Sequence, residues 1–298
     1  MKKRTLVWMM TAALTAGMLA GCSSQSGETT AASQETVETE ASEETTEEAA
    51  ETEETAGAEA VEGESEEILI AAAASLKNAF EEELIPMFQE KYPNIVVKGT
   101  YDSSGKLQTQ IEEGLEADVF MSAATTQMDA LNEEGLIASD TITDLLENKI
   151  VLIVPEGNEA GLSAFEDIAD AASIALGDPA SVPAGQYAQE ALTSLGIWDS
   201  IQDKVSFGTN VTEVLNQVAA ASADAGIVYA TDAASMEDQV DVVAEAPEGS
   251  LKTKVIYPVA VVKNTAHEEA AQSLVDFLKT PEAMAVFEAY GFAAGSEG

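Results

Sequence analysis

Residues 177–192 read GDPASVPAGQYAQEAL. The stretch closes the apolar run Ser173-Ile-Ala-Leu176 and opens a helical pattern that continues from Gly185 to Leu195, yet it carries no side chain suited to catalysis. Pro183 fits a first helical turn, where no N–H is needed, so the turn offers a ligand only the backbone N–H groups of Ala184 and Gly185. A strand running into a helix start of small residues is a building unit of open α/β sheets, whose ligands lie beyond the carboxyl ends of the strands.

The same alternation extends in both directions. Upstream, ILIAAAAS precedes a helical pattern over 76–91, NIVVKGTY one over 106–113, and DVFMSA one over 126–134. KIVLIVP and a helix near 165–171 lead into the opening stretch. Downstream come KVSFG, a helix over 212–221, AGIVYA, and finally TKVIYPVAVV with two helices ending near Tyr290. Strands separated by helices predict βαβ units and mostly parallel sheets covered on both faces. The last segment reads as a return to the first unit. The predicted fold is therefore α/β and two-lobed, with residues 68–149 and 254–298 in lobe 1, residues 150–253 in lobe 2, and a ligand cleft between them.

Residues 1–21 form an export signal: three basic residues, then an apolar stretch too short for a comfortable membrane span. Leu19-Ala20-Gly21-Cys22 resembles a bacterial lipobox, which makes Cys22, the single Cys of the chain, the expected lipidation site. From 22 to 67 the chain is a spacer with 16 Glu and no aromatic, Lys or Arg residue. Such a composition does not bury enough apolar surface to offset the entropy of ordering, so a disordered tether is expected. The net charge of −41 leaves −28 on residues 68–298, which argues against nucleic acid as a partner.

Residues 68–298 contain no Arg, no Cys and one His, His267. Serine or cysteine nucleophile sites have only that polar-helix histidine to draw on, His/Cys zinc sites are excluded, and arginine clamps for phosphate or carboxylate are impossible. No EF-hand loop, Walker motif or GxGxxG is present.

Five polar turns remain. Ser75 ends the first apolar run, and Ser103 and Ser104 stand before the second helix. Ala184 and Gly185 open the third, while Asn210 caps the helix that begins at Val211. Tyr229 ends GIVYA with a phenol. Helix N-termini carry partial positive charge and free N–H groups, so these turns describe an anion site without a countercharge.

The strings AAAASLKNAF, DSSGKLQTQIEEGLEADVFMSA, ALGDPASVPAGQYAQEAL, LGIWD, GIVYATDA and YPVAVV resemble, in order and across 68–293, the motifs of the periplasmic molybdate-binding proteins of ABC importers. That resemblance implies a type II periplasmic binding protein fold whose two α/β lobes close on a tetrahedral oxyanion. Carried over motif by motif, it assigns ligand binding to Ser75, Ser104, Ala184, Val211 and Tyr229, with molybdate or tungstate as ligand, no cofactor and no enzymatic activity. It also implies an ABC importer permease as partner, a monomer, and a position on the extracytoplasmic face of the membrane, lipid-anchored through Cys22. The nearest alternative is a receptor for another tetrahedral oxyanion such as sulfate. A pyrrole-polymerising transferase on this fold requires a cofactor Cys and Arg residues that the domain lacks, and a cytoplasmic ligand-sensing regulator would have no export signal.

Overall fold

The computed structural model describes residues 65–159 and 161–295. The export signal, Cys22 and the spacer up to residue 64 lie outside the described residues. The first element among the described residues is strand β1 (Glu66–Ala73), which starts two residues ahead of the boundary set from composition.

The strands form two sheets. The first contains β1, β2 (Ile95–Asp102), β3 (Val119–Met121), β4 (Thr143–Asn148), β10 (Val255–Val261) and β11 (Ala293–Ala294), in the order β11-β4-β10-β3-β1-β2. The second contains β5 (Ile150–Pro155), β6 (Ile174–Gly177), β7 (Val205–Gly208), β8 (Ala225–Tyr229) and β9 (Val240–Glu245), in the order β7-β6-β8-β5-β9. The chain leaves the first sheet between Asn148 and Ile150 and returns between Glu245 and Val255. The two crossings run beside each other, since Asn148 pairs with Val255 in one ladder and Val151 with Glu245 in the other.

Each sheet repeats one plan. Three helix-connected strands run parallel with the first in the middle, as β2-β1-β3 and as β7-β6-β8. The remaining neighbours pair antiparallel. The expectation of mostly parallel sheets is corrected here to mixed sheets. The cause is connectivity: a helical crossover enforces parallel neighbours, whereas β4–β5 is an almost continuous extended run whose direction in each sheet is set by the crossing. Sequence patterning also missed β4 and β9, whose apolar runs are interrupted by acidic residues, and β11, which is only two alanines; the segment near 165–171 is a 3-10 helix, Phe165–Asp170.

β1 is buried from Ile70 through Ala73, with parallel partners on both sides, as a continuous apolar run requires. β10 carries Pro258 in mid-sheet, and the β4 ladder shifts register between Tyr257 and Pro258, where the missing N–H has no ladder partner to fail. The helical run 74–91 widens into a π turn at Phe80–Leu84 just before Pro86, whose ring and missing N–H do not fit a regular α-helical turn.

An aromatic chain ties the C-terminal helices to the middle of the molecule. Edge-to-face contacts run from Phe80 to Phe287 (6.0 Å), Phe287 to Phe292 (5.9 Å), Phe292 to Tyr257 (5.3 Å) and Tyr257 to Tyr229 (5.4 Å). Such pairs contribute about 0.5–1.5 kcal/mol each beyond the area they bury. The chain ends on Tyr229 of the second sheet.

The opening stretch folds as strand end, tight turn and helix Pro183–Ser194. Its glycines serve packing within the lobe: a Cβ on Gly185 would lie 2.0 Å from the Gly177 carbonyl oxygen, so the helix start rests on the strand end backbone to backbone. Overpacking a site that cannot yield costs about 1–3 kcal/mol. Gly185→Ala is expected to lower the urea midpoint by that amount or more, despite the better helix propensity of Ala; an unchanged midpoint would contradict this contact.

Candidate functional site

Four helical segments begin at the same end of the parallel strands. Ser75 lies in the 3-10 turn Ala74–Leu76 after β1, and Ser104 opens the helix Ser104–Glu112 after β2. Ala184 is the second residue of Pro183–Ser194 after β6, and Val211 opens Val211–Ala219 after β7. Ser104 and Ala184 are fully buried, and Val211 and Tyr229 nearly so.

The side chains that usually cap such helices leave these starts open. Ser103 and Val182 stand at the N-cap positions of the second and third segments without a side-chain bond. Asn210 accepts from Glu213 N at 3.0 Å and leaves the first N–H groups of its helix uncovered. Among the described residues no backbone carbonyl accepts from the N–H of Ser104, Ala184 or Val211. Buried helix ends without partners are rare, because each uncovered group costs about 1–3 kcal/mol.

Ser75, Ser104 and Tyr229 are held by hydrogen bonds in one region, and the helix starts of Ala184 and Val211 pack beside it. Ser104 Oγ accepts from Ala123 N at 3.0 Å, and Tyr229 OH donates to Ala123 O at 3.2 Å, so both hold the same loop residue after β3. Ser75 Oγ lies 3.0 Å from Tyr257 OH, whose ring meets that of Tyr229 edge to face. The helix of Val211 rests on the turn of Ser75. Ala184 follows the 178–182 turn, where Ser181 O accepts from Gly105 N at 2.9 Å.

The proton count here is constrained by Asn148, at the crossing between the sheets. Lys149 N, a donor only, bonds Asn148 Oδ1 at 2.8 Å, so the amide Nδ2 must be the group facing Thr231 Oγ1 (2.9 Å) and Tyr257 OH (3.2 Å). Tyr257 OH accepts there, and its bond to Ser75 allows either hydroxyl to donate. With Tyr257 as the donor, the Ser75 proton is left over. Ser104 Oγ likewise accepts from Ala123 N and keeps its proton free. Tyr229 differs: its single proton is engaged by Ala123 O, so it ties the lobes together and must exchange that acceptor to donate to a ligand. Burial raises the pKa of Tyr229 and Tyr257 well above the usual phenol value, which keeps both protonated.

Little positive charge reaches this region. Lys106 is paired with Asp102 at 3.2 Å, and Lys77 sits on the rim of a cavity of about 510 Å³ shared by Ala74, Tyr101, Asn210 and Thr212. His267 takes no part: it stands before the helix Glu268–Leu278, paired with Glu66 at 2.7 Å. Sequence reasoning missed Asn148, Tyr257 and Asp232. YPVAVV contains Tyr257 but gives no sign that its partner is Ser75, 182 positions away.

Two α/β lobes that meet across helix N-termini have the architecture of a binding protein for a small solute. The comparisons with known proteins agree on the class. Residues 68–293 match the family model of bacterial extracellular solute-binding proteins. A Bacillus subtilis protein, provisionally named ABC transporter substrate-binding lipoprotein YvgL, is 40% identical over 227 residues, covering 76% of this chain and 86% of the relative. The molybdate-binding protein ModA of Escherichia coli is 38% identical over 232 residues, covering 76% and 88%. Among solved structures, the Azotobacter vinelandii periplasmic molybdate-binding protein superposes with a TM-score of 0.66 at 22% identity, covering 76% of this chain and 98% of that one, a likeness of fold.

The chain belongs to the bacterial extracellular solute-binding protein family and is a binding protein, not an enzyme. Its fold is that of the type II periplasmic binding proteins.

Asp232, three residues beyond Tyr229, is buried with Oδ2 unpartnered. Burial pushes its carboxyl up to about 7, against the lowering effect of the Tyr229 N–H it accepts. An unfolded Asp titrates near 4, so the native state holds the extra proton between roughly pH 4 and 7 and loses stability as pH rises through that window. Asp232→Asn should therefore gain stability relative to wild type as pH rises from 4 to 7, by a few kcal/mol at most, in urea titrations. A difference that stays constant with pH would contradict the assignment.

Proposed function

We propose that this protein captures molybdate, and also tungstate, outside the cytoplasm and delivers it to the permease of an ABC importer. The observation that carries the reading is the set of buried, uncovered N–H groups at Ser104, Ala184 and Val211, beside the hydroxyls of Ser75 and Ser104, in a domain without Arg. Tyr229 completes the proposed set of ligand-binding residues. Relatives at 33–40% identity, most of them named molybdate-binding proteins, support the choice of oxyanion.

A desolvated dianion needs many hydrogen bonds, and those to a charged acceptor are the strong kind. Neutral donors on rigid helix starts discriminate by size and by protonation. Phosphate carries a proton at neutral pH, and a cavity built from N–H and O–H donors offers that proton no acceptor. An unmatched buried proton costs about 1–3 kcal/mol, roughly ten- to hundredfold in affinity. Sulfate has the right charge but shorter bonds, which leaves some N–H groups too far away to bond well. In a thermal-shift panel, molybdate and tungstate at a hundred times their dissociation constants should stabilise the protein by about 2.7 kcal/mol. Sulfate and phosphate should shift it far less. Equal shifts with sulfate would leave the solute-binding class and remove the molybdate assignment.

Among the described residues no helix is long and apolar enough to cross a membrane. The reading places the anchor at Cys22, lipidated after removal of residues 1–21, with 22–67 as tether, and the folded part acting as a monomer. One acyl-modified residue supplies all the membrane affinity, since a surface this acidic is repelled by anionic lipid. Cys22→Ser, once its signal is cleaved, should appear in the soluble fraction; retention of the cleaved form on membranes would refute the anchor.

A further inference from the structure

Ser103 has the residue type and backbone of a helix cap, with φ −62° and ψ 142°, and it is buried. Its hydroxyl nevertheless bonds nothing, and Oγ is among the buried polar atoms without a partner. An N-cap serine ordinarily accepts from the second or third N–H of its helix. Here the second, Gly105 N, is donated instead to Ser181 O of the other lobe at 2.9 Å. Ser181 is held firmly by its own turn: Ser181 N and Val182 N both bond Asp178 O, at 3.0 and 2.8 Å, and Ala180 N bonds Asp178 Oδ1 at 3.0 Å.

The approach is too close for any side chain. A Cβ on Gly105 would lie 2.5 Å from Ser181 O and 2.7 Å from Ser181 Cα, both backbone atoms. Gly105 is helical, with no positive φ to account for the glycine. What requires it is the opposite lobe. Two further polar contacts cross at the same seam, Asn210 Nδ2 to Asp102 Oδ1 at 3.2 Å and Gln127 Nε2 to Gln186 Oε1 at 3.2 Å.

We propose that Gly105 and Ser103 form a two-position latch that positions the lobes for ligand capture. With the lobes together, Gly105 N–H bonds Ser181 O and strands the Ser103 hydroxyl. With the lobes apart, that hydroxyl returns to the helix start and caps it. The helix therefore keeps a partner for its donor in both states, and the stranded hydroxyl biases the empty protein toward opening. The inference rests on the proposed function only in using molybdate as its probe.

The test compares wild type, Gly105→Ala and Ser103→Ala, each as the full exported chain, by calorimetry with sodium molybdate and by small-angle X-ray scattering with and without it. Gly105→Ala should weaken binding at least tenfold and fail to compact on adding molybdate. Its empty form should melt no lower than wild type, because Ala is the better helix residue; simple structural damage would lower that melting temperature. Ser103→Ala should bind several-fold tighter and release more slowly. Wild-type affinity and compaction in Gly105→Ala would overturn the latch. So would affinity in Ser103→Ala that is unchanged or reduced, a reduction meaning that the hydroxyl touches the ion itself. If wild type does not bind molybdate, the ligand assignment fails separately. The latch then stands or falls on the empty proteins, where Gly105→Ala must scatter as the more open form.

Discussion

Buried N–H groups at the starts of helices, with no acceptor among the described residues, are the constraint around which this molecule is arranged. Ser104, Ala184 and Val211 each follow a parallel strand of one or other sheet, so the strand ends aim three donors at one seam. Left uncovered, three such groups cost several kcal/mol, a sizeable part of the stability of an ordinary domain. Most buried groups of this kind are satisfied, so a cluster of exceptions calls for an acceptor from outside the chain. An oxyanion supplies several acceptors at once.

The crossing between the sheets does more than connect. Asn148 is fixed by Lys149 N, and its amide then donates to the hydroxyl of Tyr257, which is bonded in turn to that of Ser75. Tyr257 is also the ring on which the C-terminal aromatic chain arrives, so the return segment of the first lobe and the Ser75 donor are mechanically one unit. Tyr229 reaches from the second lobe to Ala123 of the first, and Gly105 reaches back to Ser181. Separation of the lobes would break both ties.

Much of this was legible in the sequence because it is local. Apolar runs and small or capping residues mark strand ends and helix starts, and the run of Ala ending at Ser75 and the VPAG turn both fell where the structure has them. The two-lobed α/β architecture follows from that alternation. What stayed hidden depends on distant pairing. Nothing in Thr143–Asn148 announces a strand antiparallel to one a hundred residues away. In sequence Gly185 offers only a backbone N–H to a ligand, and the structure shows that close packing on Gly177 requires a glycine there. Ser103 and Ser104 look alike in sequence, yet one hydroxyl accepts from Ala123 N and the other accepts nothing.

A crystal structure of the protein with molybdate tests the central claim most directly. The account predicts oxyanion oxygens about 2.7–3.1 Å from the N–H groups of Ser104, Ala184 and Val211 and from the hydroxyls of Ser75 and Ser104, with no cation against the ion. An ion held instead by Lys77 or Lys106, with those N–H groups still uncovered, would contradict it.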